Sequence, residues 1–224
     1  MRVAIAETNV VLDPAGILFL PETRTLVVAD LHLEKASSFA RRGMLLPPYD
    51  TGATLAHLAH VVARRNPRRV VALGDSFHDS DGYGRLADAD RLRLAALQGG
   101  REWIWIKGNH DPELPDGIGG DAAAELATEG LLFRHAPFEG EAPGEVAGHL
   151  HPAAKIRGNG RSVRCRAFAT DGMRMVLPAF GVLAGGLNVL DRAFQPLFAP
   201  GALKPFLIGD GRLFPVAFEA LCPD

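Results

Sequence analysis

Residues 104–113 read IWIKGNHDPE. A short apolar run, Ile104-Trp105-Ile106, stops at Lys107-Gly108 and is followed at once by an amide, an imidazole and a carboxylate: Asn109, His110 and Asp111. Asn, Asp and Gly are ordinary turn formers at the end of a strand, so one such stretch is compatible with a plain turn. Its meaning for the fold depends on whether the pattern recurs.

It does. The run "LVVAD" ends in Asp30-Leu31-His32, and "VVALGD" ends in Gly74-Asp75 with His78 and Asp79 close behind. "LLFRH" ends in His135, and "EVAGHLH" ends in His149-Leu150-His151. Six of the eight histidines fall in these clusters, while His57 and His60 stand at helical spacing and read as ordinary helix residues. In an open parallel sheet, ligands bind in the crevice beyond the carboxyl ends of the strands, so clusters far apart in sequence can converge on one rim.

The chain around these clusters has an α/β texture. "VAIAETNVVL", "GILFL" and "TLVVAD" read as strands, with Asp13-Pro14-Ala15-Gly16 as a turn between the first two. "LEKASSFARRG" and "TGATLAHLAHVVARRN" read as helices, the second with Leu55, Leu58, Val61 and Val62 on one face. A strand "RVVALGD", a helix from Arg85 to Leu97 and the strand "EWIWIKG" follow. Apolar strands alternating with helices indicate a parallel sheet covered on both faces. Beyond about residue 130, short strand candidates follow one another ("LLFRHA", "EVAGHLHP", "AKIRG", "SVRCRAFAT", "RMVLPAF"), and "FLIGDGRLFPVAF" reads as a hairpin across Asp210-Gly211. No repeat or linker interrupts the chain, and one α/β domain over residues 1–224 with a mixed sheet is the simplest expectation.

Composition sets the class. A hydrophobic share of 47% and a charged share of 22% in 224 residues suit a globular chain with a sizeable core. The longest apolar candidate, residues 177–190, is broken by Pro178, three glycines and Asn188, so a membrane span is not expected. The first residues lack the pattern of a secretory signal, and Cys165 and Cys222 make no disulfide framework. The expectation is a cytoplasmic protein. A net charge of −2 gives no global attraction to nucleic acid and leaves a local basic groove open.

Carboxylate, imidazole and amide donors without thiolate suit a first-row ion such as Mn²⁺, Fe²⁺ or Zn²⁺. With this many donors, two ions sharing one carboxylate are more plausible than one. Two ions about 3.5–4 Å apart can hold a bridging hydroxide and clamp both ends of an in-line phosphoryl displacement.

In their order along the chain the motifs resemble those of the calcineurin-like metallophosphoesterases: Asp30-Leu31-His32, Gly74-Asp75-Ser76-Phe77-His78, Gly108-Asn109-His110-Asp111, a lone His135, and Gly148-His149-Leu150-His151. The resemblance implies a four-layer αββα fold, a β-sandwich of mixed sheets flanked by helices. It also implies roles. Asp30, His32, Asp75 and His151 would hold one divalent metal, most readily Mn with Fe or Zn as alternatives, and Asn109, His135 and His149 would complete a second site bridged by Asp75. His110 would face the substrate as proton donor, with His78, Asp79 and Asp111 supporting the ligands or facing substrate. The forms "ADLHLEK", "GDSFHD", "KGNHD", "GHLHP" and "LPAFGVLAGGLNV" are further similar to bacterial ligase-associated DNA-damage-response endonucleases. That narrower likeness implies DNA as substrate and functional association with a DNA ligase and a helicase.

The residues themselves speak less clearly on substrate. Arg41-Arg42 and the group Arg64, Arg65, Arg68 and Arg69 are basic, the latter at a helix end where cations complement the dipole anyway. Lys155, Arg157, Arg161, Arg164 and Arg166 follow directly on the last metal motif. If they form a hairpin beside the site, Lys155, Arg157 and Arg161 could track a phosphate backbone. Gly181, Gly185 and Gly186 mark tight turns or close backbone approach. Two alternatives stay open: a hydrolase of small nucleotides or other phosphoesters, and a metal-binding scaffold without catalysis.

Overall fold

The computed structural model describes residues 1–158 and 160–224. Strands β1 (Arg2–Ile5), β2 (Thr8–Asp13), β3 (Ile17–Leu20) and β4 (Thr25–Val28) run as an antiparallel meander. Helices α1 (Lys35–Arg41) and α2 (Asp50–Arg65) lead to β5 (Arg69–Leu73), and α3 (Gly82–Arg85) and α4 (Asp88–Gln98) lead to β6 (Glu102–Ile106). With β7 (Asp121–Ala123) they complete a first sheet whose spatial order follows the sequence, β4 to β7 being parallel.

A second mixed sheet is made of β8 (Glu125–Thr128), β9 (Leu131–Arg134), β10 (Glu145–Ala147), β11 (Pro152–Gly158), β12 (Arg161–Thr170), β13 (Met175–Val176), β14 (Leu187–Asn188), β15 (Lys204–Gly209) and β16 (Arg212–Pro215). Its order is β14-β11-β12-β13-β10-β9-β8, with the hairpin β15-β16 branching from β12. That hairpin turns at Asp210-Gly211, as its sequence indicates.

Side-chain alternation explains why the strand sequences are apolar throughout. Successive side chains of a strand point to opposite faces, and both faces of the first sheet are covered. Leu26, Val28, Val70, Ala72, Trp103 and Trp105 pack under Leu55, Leu58, Val61, Leu94 and Leu97 of α2 and α4. Val27, Val71, Leu73, Ile104 and Ile106 point the other way, against Leu131, Phe133, Val146, Phe168 and Met175 of the second sheet. The outer face of the second sheet carries small residues, Ala154, Ala167 and Ala169, and meets Phe194, Leu197 and Phe198. Its cover is a loop layer with 3-10 turns at Arg192–Phe194 and Phe218–Ala220. The sheets thus form a sandwich with α-helices concentrated on one side.

Local departures from the sequence reading have local causes. "VAIAETNVVL" is two strands, because Ala6 adopts a left-handed φ of 50° and reverses the chain. The helix expected from Arg85 to Leu97 starts at Asp88, since Leu86 and Ala87 are extended and Arg91 donates to the Leu86 and Gly84 carbonyls. β7 and β8 are edge strands with largely solvated side chains, so they carry no apolar signal.

Phe133 is fully buried between the two sheets. Phe133→Ala should lower unfolding free energy by about 3–5 kcal/mol in urea titration; a loss below about 1 kcal/mol would place it outside a close-packed interface.

Candidate metal centre

All five polar clusters leave the carboxyl ends of parallel strands: β4, β5 and β6 in the first sheet, β9 and β10 in the second. The sandwich brings these two sets of strand ends onto one rim. Five of the residues there have positive φ: Asp30 (54°), His32 (42°), Asp75 (46°), His149 (67°) and His151 (47°). Left-handed backbone is uncommon outside glycine, though Asp and His tolerate it better than most, and such strain clusters at functional sites. Each such turn re-aims a side chain from the sheet toward the rim. Gly108 permits the packing: a Cβ there would lie 2.2 Å from the Asp75 amide nitrogen.

The side chains form two groups. In the first, His151 Nε2 lies 3.4 Å from Asp30 Oδ1 and 3.1 Å from His32 Nε2, which is 3.9 Å from Asp75 Oδ2. In the second, His135 Nε2 lies 3.4 Å from Asp75 Oδ1, 2.7 Å from Asn109 Oδ1 and 3.2 Å from His149 Nδ1. Asp75 belongs to both, one oxygen toward each.

The donor set fits divalent cations. Asp30 and Asp75 are buried, and among the described residues neither meets a guanidinium or an ammonium, only imidazoles and the backbone amides of His149 and His110. Buried carboxylates left without a cation are costly. The His32 and His151 Nε2 atoms, face to face, need a proton or a cation between them. Burial and the neighbouring His151 push His32 down to about 3, leaving a free lone pair at neutral pH. Burial alone would lower His135, but the Asp75 and Asp30 carboxylates hold it up to about 8. A metal must therefore displace a proton there, and affinity should fall as pH drops below that value.

Supporting hydrogen bonds fix the tautomers. His135 donates from Nδ1 to the Leu73 carbonyl (2.8 Å), which leaves Nε2 for the group around Asp75. His110 donates from Nδ1 to the His78 carbonyl (2.8 Å), so its Nε2, 3.9 Å from Asp75 Oδ2, faces the site from a partly exposed position. His78 stacks on His110 with ring centroids 4.9 Å apart, and its Nδ1 is 3.5 Å from His32 Nδ1. Asp79 accepts from Arg85 Nη2 (2.8 Å) and from the Asp81 amide (3.0 Å) and so braces the loop after His78. Asp111 is buried and accepts from the amides of Ser76 (2.7 Å), Phe77 (3.1 Å) and Gly108 (3.2 Å), so it ties the loops after β5 and β6 together.

Residues 23–182 match the family defined as calcineurin-like phosphoesterase. The chain is a calcineurin-like phosphoesterase. No curated protein matches its sequence significantly. Among solved structures it is similar to the nuclease MPE of Pseudomonas putida, at 26% identity over 96% of this chain and 99% of that one, with a TM-score of 0.73. The E. coli phosphoesterase Yfce is more distant, at 15% identity over 86% of this chain and 98% of that one, with a TM-score of 0.42.

One part of this phosphoesterase, Glu34, was given no role by the sequence motifs. Glu34, at φ 62°, donates its amide to Thr51 Oγ1 (2.8 Å) and accepts from Thr51 Oγ1 (2.9 Å) and Ser37 Oγ (2.6 Å), pinning the loop after His32 to α2. The segment 178–189 threads between two ligand loops. Gly181 donates to the Asp30 carbonyl (3.1 Å) and Leu187 to the His151 carbonyl (3.2 Å). Close approach is required at Gly181 and Gly186, where a Cβ would lie 2.3 Å from Leu31 O and 2.5 Å from His151 O, whereas Gly185 faces open space.

The basic cluster divides. Arg166 donates to the Ala179 carbonyl (2.8 Å) and Arg164 to the Gly186 carbonyl (2.6 Å) and Asp224 (2.8 Å), so both anchor that segment. Lys155, Arg157 and Arg161 lie on the β11–β12 hairpin that leaves the site at His151, with Arg157 and Arg161 exposed. On the opposite side a cleft of about 580 Å³ opens past Asn109 and His135, lined also by Lys107, Arg134 and Phe138. A cavity of similar size lined by Glu141, Asp171, Arg174 and Phe198 contains none of the convergent donors, so size alone does not locate the chemistry. Among the described residues no helix is long and apolar enough to cross a membrane.

Asp111→Ala would leave three amides without acceptors and should cost about 2–3 kcal/mol of stability. Thermal denaturation that shows no loss would mean that water replaces the carboxylate and that the loops need no such tie.

Proposed function

We propose that this phosphoesterase is a two-cation phosphodiesterase that cleaves DNA. Asp30, His32, Asp75 and His151 hold one cation, and Asp75, Asn109, His135 and His149 hold the other. The observation that carries the reading is the placement of Asp75, whose two oxygens serve opposite imidazole groups. The donor set suits Mn²⁺ most readily, with Fe²⁺ or Zn²⁺ as alternatives. Such a pair, when bound, supplies an activated water and offsets charge on the phosphoryl oxygens.

The chain's own residues do the rest. His110, its Nδ1 committed to the His78 carbonyl, offers Nε2 to the leaving oxygen as proton donor. His78 stacks behind it and fixes the ring plane. DNA as substrate is supported by the full-length similarity to the Pseudomonas putida nuclease. It is also supported by the Lys155, Arg157 and Arg161 hairpin, which offers cations to a phosphate backbone beside His151. One domain, a cytoplasmic setting, a role in DNA repair and association with a DNA ligase and helicase belong to the same proposal.

A hydrolase of small phosphoesters is the competing reading, and the net charge of −2 favours it over a general nucleic-acid binder. Plasmid and oligonucleotide cleavage with Mn²⁺, run beside mononucleotides and model diesters, separates the two. Cleavage of the polymer, weakening with added salt, supports the nuclease; turnover confined to small esters would overturn it. In the same assay His110→Ala should keep its metal by elemental analysis and lose about 10²–10⁴-fold in rate.

A further inference from the structure

Lys35 opens α1 three residues beyond His32. Its backbone is held on both sides, since the Glu34 amide donates to Thr51 Oγ1 (2.8 Å) and the Ala36 amide to Asp50 Oδ2 (3.0 Å). The ammonium lies 5.9 Å from the centre of the Phe39 ring, which packs 5.4 Å from His78. His78 in turn stands 4.9 Å from His110 and 5.4 Å from His32, ring centre to ring centre. Lys35 is thus the outermost member of a row that ends at the reacting position.

Among the described residues Lys35 makes no salt bridge, and its half-buried setting lowers its pKa, with Asp50 only partly offsetting the effect. A partly desolvated ammonium without a counterion is unfavourable unless an anion arrives. Arg42, which caps the far end of α1, adds a second positive charge to the same helix. His32, His78 and His110 are near enough together to suggest a third metal, but cations beside them repel one and attract a phosphate.

We propose that Lys35 positions the substrate by binding a non-bridging oxygen of the phosphate next to the scissile one, on the His78 side of the rim. The assignment rests on the DNA reading above. It gives the rim an anion contact separate from the two-cation centre, and a substrate with one phosphate has nothing to offer it.

The test compares wild type, Lys35→Met and Lys35→Arg, loaded with Mn²⁺, on an oligonucleotide and on bis(p-nitrophenyl) phosphate. Lys35→Met should raise the oligonucleotide KM about tenfold, the scale of one charged hydrogen bond, with kcat little changed. Its KM should also depend less steeply on salt, by about one ion contact. Lys35→Arg should restore most of the KM, and bis(p-nitrophenyl) phosphate turnover should be the same in all three proteins. An unchanged oligonucleotide KM in Lys35→Met overturns the assignment, as do equal losses on both substrates or a third equivalent of metal in wild type. Absence of oligonucleotide cleavage by wild type itself would overturn the DNA reading and this assignment with it, which separates that failure from one confined to the lysine.

Discussion

Two buried carboxylates that, among the described residues, meet no guanidinium or ammonium set the terms for this molecule. Asp30 and Asp75 are almost completely enclosed, and their neighbours are imidazoles whose nitrogens also face one another. Removing an ionised carboxylate from water is costly, and one protonated imidazole, His135, offsets it only in part. Divalent cations would satisfy both needs at once, neutralising the carboxylates and occupying the lone pairs. The fold tolerates the arrangement because everything beneath it is rigid: two sheets packed face to face, with Phe133, Val146 and Phe168 filling the space under the rim.

Placing donors from five strand ends on one rim requires sharp turns, and the chain makes them at the ligands themselves. Asp30, His32, Asp75, His149 and His151 all adopt left-handed backbone. Strain of this kind amounts to about 1–3 kcal/mol at each position, and hydrogen bonds around the ligands oppose it. Asp30 accepts from the His149 amide, Asp75 from the His110 amide, and Asp111 from three amides of the two neighbouring loops. The segment 178–189 adds bonds to the carbonyls of Asp30 and His151. Ligand geometry is therefore a property of the loops acting together, and the buried network below the donors matters as much as the donors.

Much of this was legible in the sequence, because apolar strands ending in Asp, Asn and His are visible as a linear pattern. The covered sheet followed from strands such as Val70–Leu73 and Trp103–Ile106, whose two faces are both buried. Other features left no linear trace. Ala6 and Leu86 break their elements through backbone conformations that no Gly or Pro announces. β7 and β8 hold edge positions with solvated side chains and lack alternation. Asp111 read as either a support for the ligands or a substrate contact, and only the folded chain shows its carboxylate accepting from three loop amides. Arg164 and Arg166 looked like part of a basic surface until the register of β11 and β12 placed them against the 178–189 segment. In each case a long-range contact decided the outcome.

Anomalous-scattering crystallography of the protein grown with Mn²⁺ would locate the cations. Two peaks about 3.5–4 Å apart are expected, one among Asp30, His32 and His151 and one among Asn109, His135 and His149, with Asp75 touching both. A single peak, or ions bound away from Asp75, would contradict this arrangement.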